Sequence, residues 1–393
     1  MSHIISFSIE GLAGRSTTFS KKLDRHTNVF FGLNGCGKTS LLKILHSAMT
    51  NDASSLFLVP FTSASVTIHS LAYDANFERT IEKKASQGGN IRIEEANEVI
   101  INQSRILLSS DEEKESLQWK TFPIIENASI SRWFHQYLPT SRLILGQQDL
   151  PFFRGVKQNE IHNISEEEID NFFADSIKKL WSEYTSNLNH NIRIAQEAGM
   201  VSILREVLTP PKANKNHSKT EHETHQAYLR MKKFVSRKNS DDLISSEETF
   251  KKRYNEDIVL QRVVQDINST ELQIEEASAP RNRLEDLVKN LFSRNKETTF
   301  SDRSIDIKTT SGINIGISSL SSGEKHVLRL LVETLLAGES SIIIDEPELS
   351  LHIDWQKGLI KMMQTVSPKA QLILATHSPE VMAEISDKYI TRM

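Results

Sequence analysis

The 393-residue chain is 38% apolar and 25% charged, with a net charge of −4 and a pI near 6.4, which gives room for two domains or one interrupted domain. That balance excludes a protein that coats nucleic acid by bulk charge and leaves only a local basic patch for such contact. Cys36 is the single cysteine, so no internal disulfide and no cysteine-based zinc or iron–sulfur site can form, as expected of a reducing, cytoplasmic setting.

The first ten residues alternate polar and apolar without the basic and long apolar regions of a signal peptide, and read as a strand. Strands are predicted at Ile4–Gly11, Ser16–Leu23 and Thr27–Phe31, the last running into a glycine-rich turn and a helix from Lys38. Apolar runs at Leu56–Val59, Ser65–His69, Phe77–Ile81 and Ser141–Leu145 predict further strands. Residues 1–153 thus form a first α/β lobe. From 154 to 299 the spacing turns helical, as in Ile169, Phe172, Phe173, Ile177, Leu180 and Trp181. Within it, Thr209–Thr224 reads as an exposed loop, helices are expected at Gln226–Ser236 and from Thr249 to about Ala277, and Pro280 separates the latter from Arg283–Leu291. A short helical hairpin or bundle is expected there rather than a long coiled coil. From 300 to 393 the strand pattern returns: a hairpin of Ile305–Lys308 and Ile313–Ile317, a helix at Gly323–Leu336, a buried strand at Ser341–Asp345, a helix from Trp355 and a strand at Gln371–Ala375. The most apolar windows, Val327–Leu336 and Ser341–Asp345, are far shorter than the roughly 20 residues of a spanning helix, so the chain is not expected to cross a membrane.

Chemistry concentrates at the two ends. Gly32-Leu-Asn-Gly-Cys-Gly37-Lys38-Thr39 follows a strand, opens a helix and matches the phosphate-binding loop G-x-x-x-x-G-K-[ST]. Backbone amides of Asn34, Gly35, Cys36, Gly37, Lys38, Thr39 and Ser40 would cradle phosphates, the Lys38 ammonium would reach the β- and γ-phosphates, and the Thr39 hydroxyl would ligate Mg²⁺. The run Ser341-Ile-Ile-Ile-Asp345-Glu346 delivers two carboxylates at the end of an apolar strand: Asp345 for Mg²⁺ and Glu346 as general base. Leu320-Ser321-Ser322-Gly323-Glu324 is built to cap a helix and to present free N–H groups to an anion.

These motifs, in this order, resemble those of ABC-type ATPases. Leu320–Glu324 resembles the signature motif, Asp345–His352 the Walker B and D-loop, and Thr376-His377-Ser378-Pro379 the switch-histidine segment. The resemblance implies an α/β fold: a P-loop NTPase head with mixed sheet, formed by the N- and C-terminal lobes and interrupted by a mainly helical insertion. It further implies ATP as nucleotide and a head-to-head dimer, or a higher oligomer, in which Ser321, Ser322, Gly323 and Glu324 act in trans on the partner's nucleotide. His377 would contact the γ-phosphate, and Gln147 or Gln148 would be the Q-loop residue.

Pro347-Glu348 with Leu351-His352, together with the helical insertion, resembles the SMC, RecF and overcoming-lysogenization-defect (OLD) branch, and within it the ATPases of antiphage systems such as Septu, PARIS and retrons. That likeness implies a sensor-switch controlling a separate effector such as a nuclease, with a phage-encoded trigger. The RecF-like alternative is a clamp on DNA. OLD nucleases carry a C-terminal Toprim domain, whereas this chain ends at Met393, fourteen residues after Pro379, so no nuclease domain of its own is expected. His217, His222 and His225 could bind metal but read as a solvated loop. The basic cluster Lys212, Lys215, Lys219, Arg230, Lys232, Lys233, Arg237 and Lys238 reads first as a solvated face and second as a phosphate-backbone contact.

Overall fold

The computed structural model describes residues 1–83, 117–123, 132–140, 165–209, 220–236, 246–293 and 295–393. The chain divides into two units: residues 1–180, 284–301 and 305–393 in the first, and 181–283 with 302–304 in the second.

The first unit holds three sheets. Strands β1 (Ser2–Glu10), β2 (Phe19–Lys22), β4 (Ser63–Ser70), β5 (Ala75–Glu82) and β6 (Lys120–Phe122) form an antiparallel sheet in the order β2-β1-β4-β5-β6. A second sheet is parallel throughout. Its order is β13-β3-β12-β11-β7, with β3 at Thr27–Phe31, β7 at Gln136–Leu138, β11 at Ser341–Asp345, β12 at Gln371–Thr376 and β13 at Ile390–Arg392. The mixed character expected of the head is therefore divided between sheets of opposite kind. Every residue of β11 and β12 is buried, as parallel strands covered on both faces require, and this is why they read as unbroken apolar runs. Helix α1 (Lys38–Thr50) sends Leu41, Leu42, Ile44 and Leu45 into a core shared with Phe7, Phe30, Ile343 and Ile373. A small antiparallel sheet, β10-β9-β8, follows the insertion, with β8 at Lys296–Phe300, β9 at Ile305–Thr309 and β10 at Asn314–Ile315.

One buried cation lies under the antiparallel sheet. Arg79, fully buried, donates to the Ala48 carbonyl (2.5 Å) and the Thr121 hydroxyl (3.0 Å), and its guanidinium lies 4.0 Å above the Trp133 ring. Burial pushes its pKa down to about 10, and the two acceptors and the ring compensate the lost hydration. Leu56–Val59, expected as a strand, is instead a 3₁₀ turn at Ser54–Leu56 followed by Val59 N–H to Leu56 C=O. Its apolar side chains fill the core beside α1 without pairing to a sheet edge.

The second unit is helical. Helix α2 runs Glu166–Leu208 (43 residues), α3 Glu221–Ser236, α4 Glu247–Glu256 and α5 Ile258–Phe292 (35 residues); the division between units falls inside α2 and α5. The helix expected over 249–277 is broken at Asp257, whose extended backbone ends α4 and whose carboxylate accepts from Leu260 N–H to start α5. Pro280, expected as a breaker, sits inside α5 and forfeits one main-chain hydrogen bond there. Helix α3 begins five residues before the predicted start, at a capping box in which Glu223 N–H donates to the Thr220 hydroxyl and Thr220 N–H to the Glu223 carboxylate.

Of the short hairpin or bundle expected, the small bundle is present where α3 and α4 pack with α5 around Ala227, Phe250, Tyr254 and Val264, and α2 and α5 add an antiparallel pair. Ser202 donates to Asp266 (2.7 Å), Arg262 pairs with Glu206 (3.0 Å), and Gly199 faces Thr270. Among the sheltered positions of α2 are Trp181, Thr185, Leu188, Ile192, Ala195, Gly199, Ser202 and Glu206, which recur by four and three as a coiled-coil seam does. A β-carbon on Gly199 would lie 2.3 Å from Thr270 Oγ1 and 2.9 Å from its methyl, so the helices touch backbone to side chain here. Gly199→Ala is expected to lower stability by about 1–3 kcal/mol despite its better helix propensity, and adding Thr270→Ala to recover most of the loss; thermal or urea unfolding of the single and double variants checks this.

Candidate functional site

In the parallel sheet β3, β12, β11 and β7 all point the same way, so their carboxyl ends meet at one edge, where ligands of α/β sheets bind. From β3 the chain enters the phosphate-binding loop. Gly37, at φ +98°, caps α1, and a side chain there would sit 2.9 Å from the Ala13 methyl. The Lys38 ammonium, on a side chain almost wholly buried, donates to the carbonyls of Gly32 (2.7 Å) and Leu33 (3.1 Å) across the loop. Arg15, which the sequence did not single out, donates to the Cys36 carbonyl (3.1 Å) and braces the loop from outside.

From β11 come the two carboxylates. Asp345, 2% exposed, accepts from the Thr39 hydroxyl at Oδ2 (2.7 Å), while its Oδ1 is buried with no hydrogen-bond partner among the described residues. Burial above all, and the neighbouring Glu346 charge, push its pKa up; the hydroxyls of Thr39 and Thr140 and the Lys38 charge oppose them. An unsatisfied buried carboxylate oxygen beside a Thr hydroxyl fits the oxygen-donor set that Mg²⁺ takes beside a nucleotide. Glu346 follows at φ +51°, a strained backbone for a non-glycine residue, with its N–H held by the Ala375 carbonyl (2.8 Å). Glu346 and the loop residues Asn34, Gly35, Gly37, Lys38, Thr39 and Ser40 line one open cavity of about 410 Å³.

From β12 comes His377. Its Nδ1 lies 3.5 Å from Glu346 Oε1 and 3.3 Å from Glu348 Oε1. The predicted Asn34–Ser40, Asp345, Glu346 and His377 are thus gathered at one sheet edge. Gln147, Gln148 and the strand predicted at Ser141–Leu145 lie outside the described residues, as do His217 and most of the basic cluster. His225 pairs with Glu247 (2.6 Å), and among the described residues no group of three or more His, Cys, Asp or Glu could hold a metal ion. Nor is any described helix long and apolar enough to cross a membrane.

The Leu320–Glu324 segment stands apart from the P-loop cavity and lines another, with Ser322, Lys325 and Asp170. Helix α6 (Ser322–Ala337) starts at a capping box: Glu324 N–H donates to the Ser321 hydroxyl and Ser321 N–H to the Glu324 carboxylate (2.9 Å). Burial resists ionisation of Glu324, yet Lys296 (2.5 Å) and Ser321 outweigh it and hold the carboxyl below its usual range. The Glu324 carboxylate is therefore turned inward to the helix start. A β-carbon on Gly323 would lie 2.8 Å from the Ser350 carbonyl, so this helix packs directly on the segment after Glu346. Buried His326, whose pKa burial lowers to about 4, adds a hydrogen bond to the Pro347 backbone.

The AAA_21 family model, "AAA domain, putative AbiEii toxin, Type IV TA system", matches residues 203–383. The retron Vc95 probable ATPase of Vibrio cholerae is 33% identical over 92 residues, covering 20% of this chain and 18% of that protein. The Septu protein PtuA of Bacillus thuringiensis is 46% identical over 43 residues, 11% of each chain. These matches support the reading of the chain as similar to ABC-type ATPases of the SMC- and OLD-like branch. The chain's aligned part spans under a fifth of the length of these relatives. An Smc head with an extended coiled coil from Pyrococcus furiosus, 10% identical, covers 98% of this chain and 92% of its own at a TM-score of 0.44, a level that carries no weight beside the motifs.

With no metal bound, the buried Asp345 carboxylate is a cost to this fold. In chelator, Asp345→Asn is expected to melt a few degrees above the wild type, while the rise in melting temperature that Mg²⁺ and ATP give the wild type together should vanish. Differential scanning fluorimetry with and without the two ligands measures both.

Proposed function

We propose that this chain is an ATP-hydrolysing sensor-switch of bacterial antiphage defence, in which a dimer of heads closed by ATP controls a separate effector. The observation that carries the reading is the meeting of Lys38, Thr39, Asp345, Glu346 and His377 at the carboxyl edge of one parallel sheet. The likeness to ATPases named for retron and Septu systems supports the defence setting.

In this reading the P-loop amides and Lys38 bind the β- and γ-phosphates, and Thr39 with Asp345 holds Mg²⁺. The metal ion supplies neutralisation of phosphate charge. Glu346 accepts the proton of the attacking water at its carboxylate, and His377, placed between the carboxylates of Glu346 and Glu348, orients the γ-phosphate. Ser321, Ser322 and Gly323 of one protomer close over the nucleotide of the other, with Glu324 holding their helix start in shape. The helical insertion reports the closed state to an effector of nuclease type.

Lys38→Ala is expected to weaken ATP binding by more than about 100-fold. Glu346→Gln is expected to keep ATP binding, to lower kcat by about 10²–10⁴, and to accumulate an ATP-bound dimer seen by light scattering. Normal hydrolysis by Glu346→Gln would sink the catalytic assignment. Mass spectrometry of what co-purifies with Glu346→Gln and ATP from the native host separates the roles: a stoichiometric nuclease or other toxic protein supports the switch, and DNA alone supports a clamp.

A further inference from the structure

The Glu348 carboxylate is 5% exposed, yet no Lys or Arg pairs with it among the described residues. One of its oxygens, Oε1, gathers donors from a single three-residue stretch: the Thr376 hydroxyl (2.6 Å), His377 N–H (3.1 Å) and Ser378 N–H (3.2 Å), with His377 Nδ1 at 3.3 Å. The other, Oε2, is buried without a partner. The surroundings repeat the theme. Ser378 N–H also donates to the Thr376 hydroxyl (2.9 Å), and the Ser378 hydroxyl donates to Gln356 Oε1 (2.9 Å). Gln356 in turn donates to the main-chain carbonyls of Leu351 (3.0 Å) and Glu348 (3.4 Å).

Burying a carboxylate costs several kcal/mol unless hydrogen bonds replace its hydration. Two main-chain amides and a hydroxyl, all charge-assisted, are a strong replacement, and they converge on the loop that carries His377. A hydrophobic residue would fill this position at lower cost in stability. The carboxylate is accounted for by what it holds: the stretch after Asp345 and Glu346 is tied to the stretch bearing the histidine, so that Nδ1 stands between the carboxylates of Glu346 and Glu348.

We propose that Glu348 is the positioning residue of the hydrolytic site, fixing the His377 imidazole against Glu346 through hydrogen bonds to residues 376–378; this rests on the assignment of Glu346 and His377 to hydrolysis. Glu348 touches neither nucleotide nor water in this scheme and acts only through His377.

Steady-state hydrolysis and ATP binding by the full chain test it. Glu348→Ala is expected to keep ATP affinity and KM within about threefold of the wild type while kcat falls at least tenfold. Because both residues act through one imidazole, Glu348→Ala combined with His377→Ala should be no slower than His377→Ala alone. Glu348→Gln, whose amide oxygen can accept the same donors, should recover much of the rate. A wild-type kcat in Glu348→Ala, additive losses in the double variant, or a glutamine variant as slow as the alanine one overturns the proposal. If Glu348→Ala does not fold, Thr376→Val takes its place in the same comparison with His377→Ala, removing the 2.6 Å hydrogen bond without changing shape, and an unchanged kcat there overturns the proposal equally. Normal hydrolysis by Glu346→Gln, by contrast, defeats the assignment on which this rests, so the two failures are told apart.

Discussion

Buried at the amino end of β12, the Gln371 amide accepts from Ile4 N–H (2.9 Å) and the Ser341 hydroxyl (2.6 Å) and donates to the carbonyls of Ile4 (2.7 Å) and Asp24 (2.9 Å). A polar group so deep in an apolar sheet is tolerated only when satisfied, and here it is satisfied by the antiparallel sheet, the chain leading into β3, and the neighbouring strand β11. It thereby sets the register Ser341↔Gln371 at one end of the strands, and the ladder carries that register four residues on to Asp345↔Ala375. Slipping the pairing by one residue would turn every side chain to the opposite face. Asp345, Glu346 and His377 would then no longer face the P-loop. The chemistry at the carboxyl edge depends on a lock at the amino edge.

Much of that edge was legible in the sequence because each part has a local physical cause. A P-loop needs its glycines and its lysine at fixed spacing, a strand buried on both faces needs an unbroken apolar run, and a helix start needs Ser321 with Glu324 three residues on. The bracing of the edge was not legible. Glu348, Thr376, Gln356 and Gln371 are ordinary polar residues, each with a partner 22 to 367 positions away in the chain, and spacing along a sequence gives no hint of such pairings.

The insertion was legible as helical, but the pairing of α2 with α5 was not, for a different reason. Its α2 seam is regular in spacing but not in hydrophobicity, since Thr185, Ala195, Gly199, Ser202 and Glu206 occupy positions where a heptad is usually read from Leu or Ile. Those residues are small or hydrogen-bonded across the pair, as Ser202 is to Asp266 and Glu206 to Arg262, so the helices meet through close approach and polar contacts. The capping box at Thr220 and Glu223 was readable in principle, but it sits in a polar stretch that otherwise has the composition of a loop.

The short segment Pro347–Ser350 joins the two halves of this chemistry. His326 of α6 bonds to the Pro347 backbone, Gly323 abuts the Ser350 carbonyl, and Glu348 between them holds the His377 loop. Ser350, like Glu346, has a positive φ, so the segment is bounded by two residues in a conformation that its surroundings must enforce. The helix that begins at Ser322 is thereby connected to the His377 loop by a continuous run of direct contacts through residues 347–350. The segment after Glu346 thus joins the sheet edge that bears Glu346 and His377 to the start of the helix at Ser322, so that the two are built on one continuous set of contacts.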